Sequence, residues 1–448
     1  MRRPSTAVRL AAVAAATALV LAACGGDDDG GSDDGGSDDS GGSAAAAGQT
    51  TSNKQVYFVD GNTADYSKDF DPGTLKGVKA TYPGAELGDD FRKRLLTIDK
   101  SLDSYTYGPE SYDATIVTAL SAVQADTDDP KAIAKEMQAV SGPPGTKCEE
   151  FKECADLIGN GEDIDYEGVS SPINFNDTGS PSAATIGIFE YGEDNTFHNT
   201  DYITGEVTES PKPSAGQQVQ GTGKSDGQFK VGTLLPQTGD LAFLEPPETA
   251  GVKLAIEDIN KAGGVLGKDV TLTEADSGDG TPNIAPEQAN KLLAANADVI
   301  VGAASSDVSL AVLKQITNAG VLQISPANTS TAFDTKDDKG LYFRTAPSDV
   351  LQGRVMADQL GKDGFTNVAI MARQEAYGEA LADNVEKYFT DQGGEVVAKV
   401  LYSPESPNYS AEVSEVASAD PDAVVLIAFD ETKKIIPEME QAGIGPNK

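Results

Sequence analysis

Two short loops carry residues suited to binding an anion. Ser305-Ser306 follows a predicted strand and opens the next helix, and Ala327-Asn328-Thr329 repeats this arrangement one strand further along the chain. Hydroxyl and backbone N–H groups at a helix start can hold a carboxylate, because the first N–H groups have no partner within the helix. The same Ser and Thr side chains could instead cap their helices, and both roles can coexist.

The composition argues against several other kinds of chemistry. The 448 residues include 34 basic and 71 acidic side chains, for a net charge of -37. We expect no nucleic-acid partner, since phosphate binding needs clustered Lys and Arg. The single histidine, His198, argues against histidine-based catalysis and against a multi-histidine metal site. The sequence also contains no nucleophile elbow or Ser-His-Asp pattern, so we expect no enzyme, no metal and no cofactor.

The elements that must position the two loops alternate between strand and helix over residues 229–448. Val- and Ile-rich runs separated by helical patterns are typical of parallel sheets covered on both faces. Ligands bind beyond the carboxyl ends of the strands in such folds. The runs predict strands at residues 230–235, 270–275, 299–303, 321–324, 367–371, 396–401 and 423–428.

The first 53 residues read as a signal and a tether. Basic residues precede an apolar run at 10–23, which is too short to span a bilayer comfortably, and then comes Leu-Ala-Ala-Cys-Gly around Cys24. This sequence resembles the bacterial lipobox, so residues 1–24 are interpreted as a lipoprotein signal, with a membrane anchor through lipid on Cys24. An ordinary secretory signal is the alternative. Residues 25–53, rich in Gly, Asp and Ser, are expected to be a disordered tether.

The remaining cysteines, Cys148 and Cys154, are predicted to form a disulfide, because an extracytoplasmic compartment is oxidising. Residues 206–228 are polar, contain Pro and Gly and lack apolar periodicity, which indicates a linker.

Residues 229–448 resemble a known family. Branched-chain amino-acid (Leu/Ile/Val) binding proteins of ABC importers have, in the same order, segments similar to VGTLLPQTGDLAFLEPPETAGVKLAIEDINKAGGVLGKDVTLTEADS, VIVGAASSDVSLAV, VLQISPANTSTAF, LYFRTAPSD and EAYGEALADNV. The resemblance implies an α/β fold of the type I periplasmic binding protein class. Two Rossmann-like lobes with parallel-type sheets would be joined by a three-strand hinge.

The order of the chain departs from that family. Family members continue past a helix like IIPEMEQAGIGPNK into another strand, and the similar continuation here is QVYFVDGNTADYSKDFDPGTLKGVKATYPGAE, near the front. We therefore predict a circular permutation. Residues 54–205 would be the family's C-terminal portion, with parts of both lobes; 229–345 would form the lobe 1 core and 346–448 the lobe 2 core. The alternative is a truncated protein with an unrelated N-terminal domain. A separation of Lys54 and Lys448 within roughly 15 Å would favour permutation.

The resemblance also assigns a ligand site. Ser306, Ala327 and Thr329 match residues that hold the ligand carboxylate, and Asp60 stands where the family often has a glutamate for the ammonium group. Asp60-Gly61 is also a common turn pair.

The apolar wall of the implied site comes from aromatic residues. Tyr377 matches a tyrosine that lines the cleft, Phe429 follows the 423–428 strand, and Phe243 or Leu244 would close the pocket from the first loop. Each could instead serve only in packing.

The function implied by the resemblance is extracytoplasmic capture of a branched-chain or similar amino acid for an ABC permease. We expect a monomer, lipid-anchored to the outer face of the cell membrane. The alternative is a ligand-sensing module, for an amino acid, amide or urea-like ligand, coupled to signalling rather than transport.

Overall fold

The computed structural model describes residues 54–207, 219, 223–280 and 283–446. The predicted signal, the tether, Cys24 and Lys448 therefore lie outside the described residues. None of the helices in the described ranges is long and apolar enough to cross a membrane.

The described ranges contain fourteen strands and eleven α-helices. The strands are β1 Gln55–Val59, β2 Lys79–Pro83, β3 Thr146–Cys148, β4 Ile164–Tyr166, β5 Ala183–Tyr191, β6 Phe197–Glu206, β7 Lys230–Leu235, β8 Thr271–Asp276, β9 Val299–Gly302, β10 Leu322–Ser325, β11 Tyr342–Arg344, β12 Asn367–Arg373, β13 Glu395–Tyr402 and β14 Ala423–Ile427. The helices are α1 Asp89–Ile98, α2 Gly108–Ala125, α3 Pro130–Val140, α4 Phe151–Gly159, α5 Glu245–Lys261, α6 Ala285–Ala294, α7 Ser306–Ala319, α8 Asp349–Lys362, α9 Ala376–Asp391, α10 Ser410–Ser418 and α11 Thr432–Gln441.

Two larger sheets organise the molecule. The five-stranded sheet has the order β11-β10-β9-β7-β8 and is parallel throughout. The seven-stranded sheet has the order β13-β12-β14-β1-β2-β5-β6, in which β13 to β2 are parallel. A small third sheet pairs β3 with β4. We call the part built on the five-stranded sheet lobe 1 and the part built on the seven-stranded sheet lobe 2.

Both faces of each large sheet are buried. In β1, Val56 and Phe58 pack into one apolar cluster while Tyr57 and Val59 pack into another. In β9, Val299 and Val301 face one cluster and Ile300 faces a second. This alternation follows from the two-residue period of a strand, and it explains the continuous apolar runs in the sequence.

The predicted α/β class with parallel sheets is confirmed, and each strand predicted in residues 229–448 is present within a few residues. One feature differs from a purely parallel expectation. The strands β5 and β6 extend the seven-stranded sheet as an antiparallel edge, with β5 antiparallel to β2 and β6 antiparallel to β5. Residues in β6 are mostly exposed, as suits a strand at an edge.

The front of the described chain contributes to both lobes. Strands β1, β2, β5 and β6 belong to the seven-stranded sheet, whereas α2 to α4 pack in the cluster that covers the five-stranded sheet. Within the described ranges, the chain passes between the lobes at residues 84–88, 167–182 and 345–348.

The C-terminal end of the predicted linker 206–228 is hydrogen-bonded to two aspartates just before α3. Backbone N–H groups of Asp226 and Gln228 donate to the Asp128 carboxylate at 3.0 and 2.9 Å, and the N–H of Gly223 donates to Asp129 at 2.7 Å. These bonds fix the entry into β7 against the start of α3.

The structure contains the predicted disulfide between Cys148 and Cys154, which are buried and have Cα atoms 5.5 Å apart. The bond ties the end of β3 to α4.

Candidate functional site

A small cavity lies where loops from the carboxyl ends of strands in both lobes meet. Five of the residues predicted from the sequence line it, namely Asp60, Ser306, Ala327, Tyr377 and Phe429. The other lining residues are Gly61, Tyr107, Leu241, Ala304, Ser305 and Leu244, the last of which is the predicted alternative to Phe243. Asp60 and Ser306 therefore meet at one cavity although they are far apart in the chain.

The cavity has a volume of about 20 Å³. That is room for about one water molecule. An amino acid therefore needs the two lobes to move apart before it can enter.

The loop before α7 divides its two serines between different tasks. Ser305 is the N-cap, and its side chain accepts a hydrogen bond from the N–H of Val308 at 3.4 Å. Ser306 is the first residue of the helix and faces the cavity, where its hydroxyl accepts a bond of 3.5 Å from the N–H of Ser330. The capping role considered for Ser306 thus belongs to Ser305, which leaves the Ser306 hydroxyl at the cavity wall.

Of the two residues predicted from the second loop, one lines the cavity and the other does not. Ala327 lines the cavity, and its N–H donates to the Ser325 hydroxyl at 3.2 Å. Thr329 is buried but does not line the cavity; its carbonyl accepts a 2.8 Å bond from the N–H of Asp349, at the start of α8.

Asp60 directly follows β1 and is 7% exposed. Its backbone has a φ of +50°, in the left-handed region that non-glycine residues rarely adopt. Burial raises the pKa of Asp60 to about 7, against the opposing effect of the hydrogen bond that its carboxylate accepts from the Tyr107 hydroxyl.

Tyr107 was missed by the sequence reasoning. It precedes α2 in lobe 1, has a φ of +57° and donates to Asp60 in lobe 2. The Tyr82 hydroxyl accepts a 2.8 Å bond from the N–H of Tyr107, and the two rings lie 5.4 Å apart. The only local signal in the sequence is a tyrosine next to the Gly108-Pro109 helix start.

An ordered aromatic wall closes the lobe 2 side. Tyr377 and Phe429 stack with centroids 5.4 Å apart and planes 11° apart. The Arg373 guanidinium lies 3.9 Å from the centre of the Phe429 ring and pairs with Glu431 at 2.6 Å. A side chain at position 61 would place its Cβ 2.3 Å from the Phe429 ring, so this position requires glycine.

Three further buried acids surround the site. Burial raises the pKa of Glu110 to about 8 and the pKa values of Glu248 and Asp349 well above their ordinary range. Neighbouring acids add to each rise, including Asp60 for Glu110 and Asp349. These groups are therefore largely protonated at neutral pH.

Hydrogen bonds join the lobes beside the cavity. The N–H of Ala376, at the start of α9, donates to the Asp307 carboxylate on α7 at 2.9 Å. The Ser330 hydroxyl donates to the carbonyl of Ala376 at 2.7 Å. One helix start in lobe 2 is thus capped by an acidic residue of lobe 1.

A second, larger cavity adjoins the first at Gly61, which lines both. We call it the aromatic chamber, and its volume is about 360 Å³. Phe243 lies here rather than in the small cavity, whose wall takes Leu244 instead. The aromatic residues of the chamber wall are Tyr66, Tyr82, Tyr105, Phe189, Phe197, Tyr202 and Phe243.

The described residues contain no group of three or more His, Cys, Asp and Glu side chains placed to hold a metal ion.

Comparison with known families matches residues 228–448 to the family described as periplasmic binding protein. Residues 94–160 match a domain of unknown function, DUF1871.

Three curated relatives that are at least 30% identical each align with less than half of the chain. The chain is 31% identical over 198 residues to Leu/Ile/Val-binding protein homolog 3 of Brucella melitensis, covering 43% of this chain and 52% of that protein. It is 32% identical over 196 residues to Leu/Ile/Val-binding protein BraC3 of Rhizobium johnstonii, covering 43% and 53%. It is 30% identical over 206 residues to the chemotactic signal transduction system substrate-binding protein BasB of Halobacterium salinarum, covering 44% and 49%. The chain thus spans about half the length of these relatives.

Solved structures with similar folds include the substrate-binding protein LivJ of Streptococcus pneumoniae in complex with isoleucine. It is 24% identical, with a TM-score of 0.43, over 49% of this chain and 62% of that one. A solute-binding protein of Rhodopseudomonas palustris in complex with benzoate is 26% identical with the same TM-score, over 49% and 61%.

Proposed function

We propose, from the match of residues 228–448 to the periplasmic binding protein family, that this protein is the extracytoplasmic substrate-binding component of an ABC importer. Its ligand would be a branched-chain or similar amino acid, bound between the two lobes. The observation that carries the proposal is the small cavity, which unites Ser306, at a helix start in lobe 1, with Asp60, a buried acid in lobe 2.

The proposed binding mode uses both charged ends of an amino acid. The Ser306 hydroxyl and Ala327 would hold the carboxylate at the start of α7, with Thr329 of the same loop behind the cavity wall. Asp60 would hold the ammonium group. The stacked rings of Tyr377 and Phe429 would support the ligand between these anchors, with Leu244 and Phe243 on the side of lobe 1.

Closure of the lobes would follow ligand entry. Bonds that cross between the lobes, such as Asp307 to Ala376 and Tyr107 to Asp60, favour a closed arrangement. A ligand that contacts both lobes shifts the population further toward closure. The permease would recognise the closed form, while lipid on Cys24 and the 25–53 tether would keep the protein near the membrane.

A thermal-shift screen with the twenty amino acids and their amides tests the ligand class. Binding at 100 times the dissociation constant should stabilise the protein by about 2.7 kcal/mol. Ser306→Ala should lose most of that stabilisation while melting normally without ligand. If no compound of the panel raises the melting temperature of the unaltered protein, amino-acid binding is refuted.

A sensing role is the second candidate, and the similarity to a chemotactic substrate-binding protein favours it. Uptake of the radiolabelled ligand by cells lacking the gene distinguishes the two roles. Importer function predicts lost uptake, whereas a sensor predicts normal uptake with a lost response to the ligand.

We also propose that the chain is circularly permuted relative to its family. Two observations support this proposal. Strand β1 pairs in parallel with β14, with Gln55 opposite Ala423. Ile444, beyond α11, packs in the same cluster as Val56 and Phe58 of β1.

A rearranged gene tests the permutation. A chain in which residues 229–448 precede 54–205 should fold with a similar melting temperature and retain ligand binding. An insoluble or molten product, when the unaltered chain is purified in the same way, would contradict the permuted arrangement.

A further inference from the structure

The aromatic chamber is too large and too specifically lined to be a by-product of packing around the small cavity. Its volume of about 360 Å³ is close to that of a small-ligand pocket. Phe189 is central to the wall, with rings of Phe197 at 5.4 Å, Tyr82 at 6.3 Å and Tyr202 at 6.5 Å. This is a surface suited to stacking against a flat apolar group.

Two side chains of this wall, Glu110 and Arg92, have a buried polar atom without a hydrogen-bond partner among the described residues. Glu110, in the first turn of α2, is 3% exposed and lines the chamber. Its Oε2 atom has no hydrogen-bond partner among the described residues. Its carbonyl accepts a 2.8 Å bond from the Thr345 hydroxyl, which fixes the backbone and holds the side chain at the wall.

An unpartnered buried carboxyl oxygen lowers stability, and a ligand that donates to it would recover the lost hydrogen bond. The Arg92 side chain, in contrast, is 43% exposed and pairs with Asp89 at 3.8 Å, and Lys433 pairs with Asp430 at 2.6 Å. Glu110 is therefore the wall residue best placed to select a ligand.

The chamber continues from the proposed amino-acid site. Gly61 lines both cavities, and the Tyr82–Tyr107 pair separates them elsewhere, with Tyr82 on the chamber side and Tyr107 beside Asp60. Gly61 is therefore the point at which a long side chain of a ligand held by Asp60 and Ser306 would enter the chamber.

We infer that the chamber receives the side chain of the ligand, and that the preferred ligand is an amino acid whose aromatic side chain carries a hydrogen-bond donor. This inference rests on the proposed function, because it takes the α-amino and α-carboxyl groups to be bound at the small cavity. The raised pKa of Glu110, about 8, is consistent with a neutral donor such as a phenol, since the carboxyl group is then uncharged near pH 7. A branched-chain ligand would leave the chamber and Glu110 unfilled.

Calorimetric titration with L-leucine, L-phenylalanine and L-tyrosine tests the inference on the whole chain. Tyrosine should bind about tenfold more tightly than phenylalanine, because only its hydroxyl reaches Glu110, and phenylalanine should bind more tightly than leucine. Ala85→Phe, which fills the chamber from its wall, should weaken tyrosine binding at least tenfold and change leucine binding less than twofold. Ala311→Phe, on the exposed side of α7, is the matched control and should change neither.

Glu110→Ala provides a second, independent variant. It removes an unpartnered acid, so it should fold at least as well as the unaltered protein, and it should abolish the preference for tyrosine over phenylalanine. Tyrosine affinity unchanged by both Ala85→Phe and Glu110→Ala would overturn the inference. Binding of leucine alone would overturn it while leaving the proposed function intact. Failure of all three amino acids to bind would count against the proposed function itself.

Discussion

Asp60 and Tyr107 both hold left-handed backbone conformations, and they hydrogen-bond to each other across the two lobes. Non-glycine residues with positive φ cluster at functional sites, where the surrounding structure compensates their strain. The family resemblance could indicate Asp60, because it stands where the family often has a glutamate. The sequence could not indicate Tyr107, since a contact between residues 47 positions apart depends on how the lobes meet.

Asp60→Asn isolates the charge of the proposed ammonium site. The amide oxygen can still accept from Tyr107, so the fold should persist with an unchanged or raised melting temperature. Loss of the charged hydrogen bond should weaken amino-acid binding roughly 10- to 100-fold at pH 8. Titration calorimetry and thermal melting measure the two effects separately.

The pH dependence of ligand affinity is the internal control for the Asp60→Asn variant. Below the Asp60 pKa of about 7, the unaltered protein should lose roughly tenfold in affinity per pH unit, because its acid becomes protonated. The Asn variant should show no such slope. Equal slopes in both proteins would assign the ammonium contact to another residue.

Residues at helix starts form much of the site, but the side chains that cap these helices were only partly predictable from the sequence. The spacing of apolar runs was enough to predict β9 and α7, and with them the loop of Ser305 and Ser306. Which serine caps the helix was not predictable, because it depends on the backbone turn at position 305. The cap of α9 was hidden as well, since Asp307 reaches it from the other lobe.

Asp307→Ala tests this contact between helices. Removing the cap destabilises the closed arrangement without changing the cavity wall, so ligand affinity should fall about 3- to 10-fold as the closed population decreases. Small-angle scattering of the ligand-free protein should show a larger radius of gyration. Glu379→Ala is the matched control, because Glu379 is an exposed acid in the first turn of α9, the helix that Asp307 caps, and this variant should behave as the unaltered protein. An unchanged affinity for Asp307→Ala would show that the bond does not favour closure.

At the scale of the whole molecule, local periodicity predicted the parallel sheets of residues 229–448. It could not place β1 beside β14, because pairing between strands so distant in the chain leaves no local signal. Only the family resemblance suggested this arrangement. The antiparallel edge strand β6 escaped prediction for another reason. Residues of β6 are mostly exposed, so they lack the apolar run that marks a central strand.

The buried acids of the whole molecule predict an unusual pH dependence of stability. Burial raises the pKa of Asp113 to about 6, that of Asp298 and Asp338 to about 7, and that of Glu110 to about 8. For an acid with a raised folded-state pKa, the folded protein binds more protons than the unfolded chain. Its stability contribution is therefore fully present below the unfolded pKa near 4 and is lost as pH rises through the folded value.

The free energy of unfolding should therefore increase as pH falls from 8 to 5. The net charge of -37 acts in the same direction, because protonation relieves repulsion. For Asp60, a rise of about 3 pKa units corresponds to a change of roughly 4 kcal/mol in the free energy of unfolding over the full titration. Urea denaturation at pH 5, 6, 7 and 8 measures the trend, and Glu110→Gln should flatten it between pH 7 and 8. Stability that decreased on acidification over this range would mean that these carboxyl groups are ionised in the folded protein.

Ligand affinity should change in the opposite sense to stability, because Asp60 must be charged to hold the ammonium group. The acidic conditions that stabilise the empty protein are therefore those that release its ligand.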